Sequence, residues 1–359
     1  MKEMNKGSIT SLRKFDHLRI CFEQNVERGR SGFEDVHLLH TALPECDMTT
    51  IDLSTTFLDF HLNSPLFIAG MTGGHQETIK INRTLALAAE HFGIGMGVGS
   101  QRAALENEDL QDSFTIVRDS APHAFLCANL GIVQLRDHGM EWAERAVEMI
   151  DAQALAIHLN FLQEAIQSEG DHNAEGCLQA LETLCREFSL PIIVKETGAG
   201  ISGEISRLIL GAGASAIDVG GSGGTSWAAV EYMRAQGKKS TIVGNIFQDW
   251  GIPTVVALHE AVQTGAPIIA TGGVRTGIDI AKSVALGANL AGMALPLFRA
   301  AMKGQKELFE TIDGFHQQLR LAMFLTGSRT QQELGKKRAI ITGITRQILE
   351  DIEEGSNGY

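Results

Sequence analysis

The chain has 359 residues, of which 44% are hydrophobic and 20% charged, and its formal net charge is -13 at pH 7. This composition is typical of a globular α/β protein and argues against a disordered or fibrous chain. The negative charge disfavours a broad contact with nucleic acid, because such a contact needs clustered Lys and Arg.

Cysteine usage and apolar runs indicate the compartment. The five cysteines are odd in number and include no CxxC pair, so we expect reduced thiols in a cytoplasmic protein. The N-terminus has no apolar signal region, and no apolar run approaches the ~18 residues that a transmembrane helix needs. We therefore expect neither secretion nor a membrane partner.

The first segment, residues 1–64, precedes any run of strand type and is predicted to be an N-terminal arm. It contains four potentially cationic side chains within the seven residues from Arg13 to Arg19. Two interpretations stay open: the arm closes over a diphosphate, or these charges cover a surface helix.

Short apolar runs of strand length then recur, each followed by glycine or polar residues and a longer helical pattern, which is typical of parallel βαβ units. Eight such units favour closure into a (β/α)8 TIM barrel over an open sheet. We predict one domain over 1–359, with the barrel followed by a C-terminal helical extension over 298–359. The predicted strands are Leu66–Ala69, Ile94–Gly97, Phe125–Asn129, Leu155–His158, Ile192–Lys195, Ala216–Val219, Ile268–Thr271 and Leu290–Met293.

The connection between the sixth and seventh strands is longer than the others. It contains residues 226–236 and 245–250, which we predict to form an extra helix or a loop over the site. Long connections in compact domains are usually functional.

The carboxyl ends of the strands form the active site of such barrels, and here glycine dominates them. Gly272–Arg275 follows the seventh strand, Gly292–Ala294 the eighth and Gly223–Thr225 the sixth. Barrels commonly bind a phosphate with backbone N–H groups at this place, so we predict a phosphorylated cofactor. Lys195, at the end of the fifth strand, would stabilise negative charge on a reduced flavin, or it caps the barrel rim.

A polar cluster leaves the fourth strand. His158 and Asn160 alternate onto one side, and Gln163 and Glu164 follow within the next turn. Glu164 is a candidate Mg2+ ligand whose shell a substrate phosphate would complete. A solvated carboxylate at a helix start is the alternative.

Seven motifs in this order resemble the type 2 isopentenyl-diphosphate isomerases, and the likeness runs from about Arg13 to past Leu295. The motifs are Arg13-Lys14-x-x-His17, Gly70-Met71-Thr72-Gly73-Gly74, Gly99-Ser100-Gln101-Arg102, His158-x-Asn160-x-x-Gln163-Glu164, Lys195-Glu196-x-Gly198, Gly223-Gly224-Thr225-Ser226-Trp227 and Thr271-Gly272-Gly273-Val274-Arg275-x-Gly277.

The resemblance implies three sets of ligand contacts. One implied set binds the Mg2+ ion through Glu164. Another binds the substrate diphosphate through Arg13, Lys14, His17, Ser100, Gln101, Arg102 and Gln163. The largest binds FMN through Gly70, Met71, Thr72, Ser100, Asn129, Lys195, Thr225, Gly273, Val274, Arg275, Ala294 and Leu295. Gly220 departs from the pattern, because relatives often have serine there.

The resemblance also implies the reaction: isopentenyl diphosphate and dimethylallyl diphosphate interconvert by proton transfer on reduced FMN, with NADPH as the usual reductant. Lys195, Gln163, His158 and Asn160 are the implied catalytic and orienting residues. Glu231 is a second candidate for proton transfer, or it lies on an exposed face of the inserted helix. A homo-oligomer, a tetramer or octamer, is implied as well.

The loop after the sixth strand distinguishes this chain from two other barrel enzymes, and a third function stays open. An FMN-dependent 2-hydroxyacid oxidase needs a histidine base after the sixth strand, where Gly220–Thr225 contains no His. An inosine-monophosphate-dehydrogenase-like barrel needs a cysteine in that same loop, which has Ser222 and Thr225 instead. A non-catalytic flavin- or phosphate-binding module stays open, because a fold does not dictate a function.

Overall fold

Eight parallel strands form a closed barrel in the computed structural model, which describes residues 4–167, 169–235 and 240–356. The predicted (β/α)8 barrel is confirmed, and all eight predicted strands are found within one or two residues of their expected ends. The strands are β1 Val36–Leu38, β2 Thr55–Phe57, β3 Phe60–Leu62, β4 Leu66–Ile68, β5 Gly95–Gly97, β6 Leu126–Gly131, β7 Ala154–Leu159, β8 Ile192–Glu196, β9 Ala216–Asp218, β10 Ile268–Thr271, β11 Leu290–Met293 and β12 Ala339–Ile341. Strands β4 to β11 form the barrel, with β11 paired to β4.

Helices surround the barrel on its outer face. None of the described helices combines the length and apolar character that crossing a membrane requires. The helices are α1 Met4–Glu23, α2 Thr78–Phe92, α3 Arg102–Glu106, α4 Asp112–Ser120, α5 Ile132–Ile150, α6 Phe161–Ile166, α7 Cys177–Glu187, α8 Gly203–Gly211, α9 Trp227–Arg234, α10 Ser240–Ile246, α11 Thr254–Val262, α12 Gly277–Ala285, α13 Leu295–Lys303, α14 Gln305–Leu325, α15 Gln331–Leu334 and α16 Gly343–Ser356.

Side chains of the barrel strands alternate between two hydrophobic clusters, as period-two strand geometry requires. Along β8, Ile192 and Val194 pack outward against the helices, whereas Ile193 packs into the barrel interior. Both faces are therefore buried, which explains why these strands appear in the sequence as continuous apolar runs. The same alternation directs Lys195, two residues after Ile193, to the inside of the barrel mouth.

The N-terminal segment divides between two ends of the barrel. Helix α1 lies at the carboxyl end of the strands, where it contacts α3, α9 and α13. The antiparallel pair β2–β3 inserts Phe57 and Leu62 into the interior cluster with Phe67 and Phe125, at the amino end of the strands. Only the first part of residues 1–64 can therefore close over a substrate; residues 55–62 fill the opposite end.

The remaining extensions pack on the barrel. The predicted helical character after residue 298 is found in α13 to α16, but β12 also pairs antiparallel with β1, which the sequence did not indicate. The predicted extra helix between β9 and β10 is present as α9 and α10. Gln236, at the end of the predicted stretch 226–236, lies outside the described residues, as do residues 1–3 of the arm and 357–359 of the C-terminal segment.

Candidate active site

A cavity of about 230 Å³ opens at the carboxyl ends of the barrel strands and extends beneath α1. Most of the residues predicted from the sequence line it, although they come from all parts of the chain. The predicted residues that line it are Arg13, Lys14, His17, Gly70, Met71, Thr72, Ser100, Arg102, Asn129, His158, Asn160, Gln163, Glu164, Lys195, Thr225, Gly273, Arg275, Ala294 and Leu295.

Three predicted residues do not line the cavity, and each is buried. Val274 is fully buried in the hydrophobic core, so its side chain cannot reach a flavin there. The Gln101 amide is bound to protein: its Oε1 accepts from Asn129 N at 2.8 Å, and its Nε2 donates to Ala146 O at 2.8 Å. The structure therefore does not bring Gln101 to a diphosphate. Glu231 is 2% exposed and contacts the cavity-lining residues Gln163 and His17 without lining the cavity itself.

Gln101 instead belongs to a chain of hydrogen bonds that fixes His158. Asn129 Nδ2 donates to Val98 O at 2.9 Å, which leaves its Oδ1 to face His158 Nδ1 at 2.8 Å. Because that amide oxygen can only accept, Nδ1 carries the proton and Nε2 is left as an acceptor. Burial, together with the charges of Lys195 and Lys14, lowers the pKa of His158 to about 3. His158 is thus a neutral, oriented imidazole.

Lys195 stands in the barrel mouth beside two buried carboxyl groups. Its Nζ donates to Glu196 O at 2.8 Å, and it lies in register with Asp218 on the neighbouring strand. Burial raises the pKa of Asp218, and the charge of Lys195 opposes that shift. The Glu196 carboxylate accepts backbone N–H bonds from residues 197–200, which closes that loop around it.

Two glycine loops meet at the cavity, after the neighbouring strands β9 and β10. A Cβ at Gly224 would lie 2.7 Å from Gly273 N, so only glycine permits this approach. Within the described part of the chain, the N–H groups of Gly224, Thr225 and Gly273 have no acceptor. All three residues line the cavity. Unpaired N–H groups on converging loops fit a phosphate group, which they can bind without side chains.

The departure at Gly220 has a steric reason. Its φ is +46°, and a Cβ there would lie 2.2 Å from Glu196 O. A serine would therefore require the backbone to shift. Gly220 itself lines the cavity, so the loop approaches a ligand with its main chain.

One face of α1 covers the cavity mouth. Arg13, Lys14, His17, Leu18 and Cys21 all line it, and they recur at the three- and four-residue spacing of a helix face. The Lys14 Nζ donates to Ser100 O at 2.7 Å. Burial, and next the charge of Arg13, lowers the pKa of Lys14 to about 7. Lys14 thus lies at the loop after β5, which is four strands from β9 and so across the barrel mouth from Gly224.

Glu231 connects α1 to the polar cluster after β7. Its Oε1 accepts from Gln163 Nε2 at 3.1 Å and lies 2.8 Å from His17 Nε2, and its Oε2 accepts from Arg234 Nε at 2.7 Å. Burial opposes ionisation of Glu231, but His17 and Arg234 outweigh it and lower its pKa to about 2. The predicted alternative of an exposed helix face does not hold, because helix α9 turns Glu231 inward.

Glu164 is buried but faces the cavity. Its carboxylate accepts from Asn160 Nδ2 at 3.0 Å, from Gln167 Nε2 at 3.3 Å and from Asp171 N at 2.9 Å. Among the described residues there is no group of three or more His, Cys, Asp or Glu that could hold a metal ion. A metal bound by Glu164 would need ligands from a substrate and from water.

The structure adds cavity residues that the motifs did not indicate. Leu18 and Cys21 lie on the same face of α1 as the cationic side chains. Phe298 lies about one helical turn after Leu295. These three could have been found by extending each pattern along its helix. Gln134, on the first turn of α5, carried no signal of its own.

Comparison with known proteins supports the barrel fold. The family model of FMN-dependent dehydrogenases matches residues 137–341, which is more than half of the chain. Among solved structures, a Pediococcus acidilactici protein described as a lactate oxidase has a TM-score of 0.63 at 18% identity, covering 91% of this chain and 87% of that one. A mandelate oxidase mutant with an FMN adduct has a TM-score of 0.62 at 17% identity, covering 87% and 90%. At such identities the likeness supports the fold alone.

Relatives of much higher identity carry another name. An isopentenyl-diphosphate delta-isomerase of Methanoregula boonei is 58% identical over 352 residues, which are 97% of this chain and 98% of that protein. The isopentenyl-diphosphate delta-isomerase of Archaeoglobus fulgidus is 52% identical over 341 residues, 95% of this chain and 99% of that protein. The chain therefore belongs to the isopentenyl-diphosphate delta-isomerase family, on a barrel that it shares with FMN-dependent dehydrogenases.

Proposed function

We propose that this protein interconverts isopentenyl diphosphate and dimethylallyl diphosphate with FMN bound in the barrel mouth. The observation that carries the proposal is the division of one cavity into two anion-binding sides. Unpaired N–H groups of the glycine loops lie after β9 and β10, and Lys14 and Arg102 lie at the loop after β5, across the barrel mouth from β9. A flavin phosphate and a substrate diphosphate would each meet one of them.

The residues present fit FMN. Gly224, Thr225 and Gly273 would bind its phosphate, with Arg275 beside them, and Lys195 would stand near the ring. Bound in reduced form, FMN would supply a group that exchanges a proton with an alkene carbon, for which ordinary carboxyl groups are poor acids. The Lys195 ammonium would favour negative charge on the ring, as a fixed dipole or charge does in a site shielded from water.

The chain's own residues would then position the substrate and hold protons near it. Arg13, Lys14 and Arg102 offer positive charge to the diphosphate, while Gln163 and Asn160 line the adjoining wall. Gln163 donates a hydrogen bond to the ionised Glu231, and this bond fixes the orientation of the Gln163 amide. Glu231 does not line the cavity and its pKa is held low, so its main role in this proposal is to orient Gln163 and His17. It stays a second candidate for proton transfer, which would have to pass through those two residues.

We also propose that Mg2+ binds beside the diphosphate and that NADPH reduces the flavin. Glu164, held by Asn160 and Gln167, would contribute one oxygen ligand to Mg2+, and the diphosphate and water would provide the others. NADPH would reduce the flavin once, before turnover. It would not be consumed at each cycle, because the isomerisation itself changes no oxidation state. A cytoplasmic location stays an expectation from the cysteine pattern, and a tetramer or octamer stays an expectation from the family resemblance.

The decisive experiment follows isopentenyl diphosphate by NMR with the purified protein, FMN, Mg2+ and NADPH or dithionite. We expect dimethylallyl diphosphate to appear only when the flavin is reduced. Lys195→Ala and Gln163→Ala should each lower the rate with reduced FMN saturating. Undiminished rates in both variants would remove the roles given to these residues, and absence of product with wild-type protein would remove the function.

A hydroxyacid oxidase is the second candidate, since the solved structures of similar fold bear such names. Its base would have to come from the loop after β9, where residues 220–225 contain only Gly, Ser and Thr. These side chains cannot take a proton from a hydroxyl group near neutral pH. Bleaching of oxidised flavin by lactate or glycolate would favour the oxidase.

A further inference from the structure

The segment just after α1 runs along the glycine loop that follows β9. Arg28 N donates to Gly224 O at 3.1 Å, and Ser226 N donates to Val26 O at 2.9 Å. Glu27 lies between these two bonds, so its backbone is fixed to the loop that forms one wall of the candidate phosphate subsite.

The Glu27 side chain reaches across to the second glycine loop. Its Oε1 accepts from Arg275 Nε at 2.5 Å and also contacts Nη2 of the same guanidinium. The opposite edge of the guanidinium is held as well, because Nη1 donates to Val274 O at 2.7 Å. Arg275 lines the cavity, and its Nη2 is 3.4 Å from where a Cβ on Gly224 would lie.

We propose that Glu27 is a positioning residue that holds the Arg275 guanidinium beside the glycine loops so that it can bind the phosphate of the flavin. This inference rests on the proposed FMN site. A free arginine side chain loses considerable rotamer entropy when it binds an anion, and a partner that fixes it beforehand lowers that cost.

Sharing of the guanidinium is chemically feasible. A guanidinium has five N–H donors. Glu27 and Val274 O together take three of them, at Nε, Nη2 and Nη1, which leaves two for phosphate oxygens. Glu27 is therefore placed to support phosphate binding without first leaving Arg275.

The experiment compares binding of FMN and riboflavin to flavin-free protein by flavin fluorescence, because the two ligands differ only in the phosphate. Glu27→Gln should weaken FMN binding about fivefold, which corresponds to ~1 kcal/mol for a partly exposed ion pair. Riboflavin affinity should not change. Glu34→Gln is the matched control, since Glu34 pairs with Arg30 at 2.6 Å on the same segment and at the surface.

A double-mutant comparison separates positioning from general packing. In an Arg275→Gln background, Glu27→Gln should add no further loss of FMN affinity, because it acts through Arg275. An unchanged or tighter FMN affinity in Glu27→Gln alone, or an equal loss for riboflavin, would overturn the inference while leaving the FMN site intact. Wild-type protein that binds neither flavin would instead overturn the proposed function.

Discussion

His17 on α1 and Glu231 on α9 approach each other to 2.8 Å between Nε2 and Oε1, although they are 214 residues apart in the chain. The His17 ring also packs edge-on against Trp227 on α9, with ring centroids 5.2 Å apart. Since Glu231 also accepts from Gln163, the contact joins the arm that covers the cavity to the residues that line it. The position of the arm and the environment of Glu231 are therefore coupled.

His17→Ala should weaken substrate binding because the arm loses its polar contact with α9. We expect KM for isopentenyl diphosphate to rise about tenfold, as a hydrogen bond to a charged partner is worth ~1.5–3 kcal/mol when both groups are largely buried. Initial rates at varied substrate concentration would measure it. Arg19→Ala is the control, since Arg19 is exposed on the same helix and pairs with Asp16; an equal rise of KM in both variants would contradict a specific role of His17.

Because the pKa of Lys14 is lowered, we expect diphosphate binding to depend on pH. Because burial lowers the pKa of Lys14 to about 7, the free protein loses this cation as the pH rises through neutrality. The bound anion favours the protonated form, so affinity should be full below pH 7 and fall above it by up to about tenfold per pH unit. The measurement is the affinity for inorganic pyrophosphate between about pH 6 and 9.

Lys14→Arg provides the comparison for that measurement, since arginine stays charged throughout this range. Pyrophosphate itself titrates, so the informative quantity is the difference between the two proteins. Parallel curves would mean that the charge of Lys14 does not govern binding.

The parts of this site that could be predicted from the sequence are those fixed locally. The barrel strands are continuous apolar runs because both of their faces are buried, and alternation from Ile193 already directs Lys195 inward. The glycine loops could be predicted because close backbone approach, as between Gly224 and Gly273, excludes a Cβ.

The remainder depends on contacts between distant segments. Gln101 stands in a site motif, yet its amide is used by Asn129 and Ala146, which only the packing of α5 reveals. The inward position of Glu231 and the pairing of β1 with β12 likewise depend on residues hundreds of positions apart. No local pattern of hydrophobicity or turn residues encodes such contacts.

Gly224→Ala should impair FMN binding more than folding. The added Cβ would meet Gly273 N at 2.7 Å, and since that atom is backbone, the two loops must separate. We expect FMN affinity to fall at least about tenfold, the factor that ~1.4 kcal/mol represents.

Gly211→Ala is the control, because nothing lies within 4 Å of a Cβ there in helix α8. It should raise the free energy of unfolding by ~0.5–1 kcal/mol with FMN affinity unchanged. If Gly224→Ala binds FMN as the wild type does, close approach of the loops is not what the phosphate requires.

Because the His316 imidazole is largely buried, we expect the protein to lose stability in mild acid. Its ring packs edge-on against Phe92 on α2, and its buried Nε2 has no hydrogen-bond partner among the described residues. Burial lowers the pKa of His316 from 6.5 to about 4, an effect that Asp313 opposes and Arg320 reinforces. Because the folded state favours the neutral ring, its contribution is complete above pH 6.5 and is lost as the pH falls toward 4.

Urea unfolding at pH 7 and near pH 4.5 would test this, with His316→Phe as the variant that keeps an aromatic ring but cannot take up a proton. His158, whose pKa is lowered to about 3, destabilises both proteins in the same pH range, so only their difference is informative. We expect the wild type to lose more stability than the variant by ~1–2 kcal/mol, after allowance for the partial exposure of the ring. Equal losses in the two proteins would contradict a preference of the folded state for the neutral imidazole of His316.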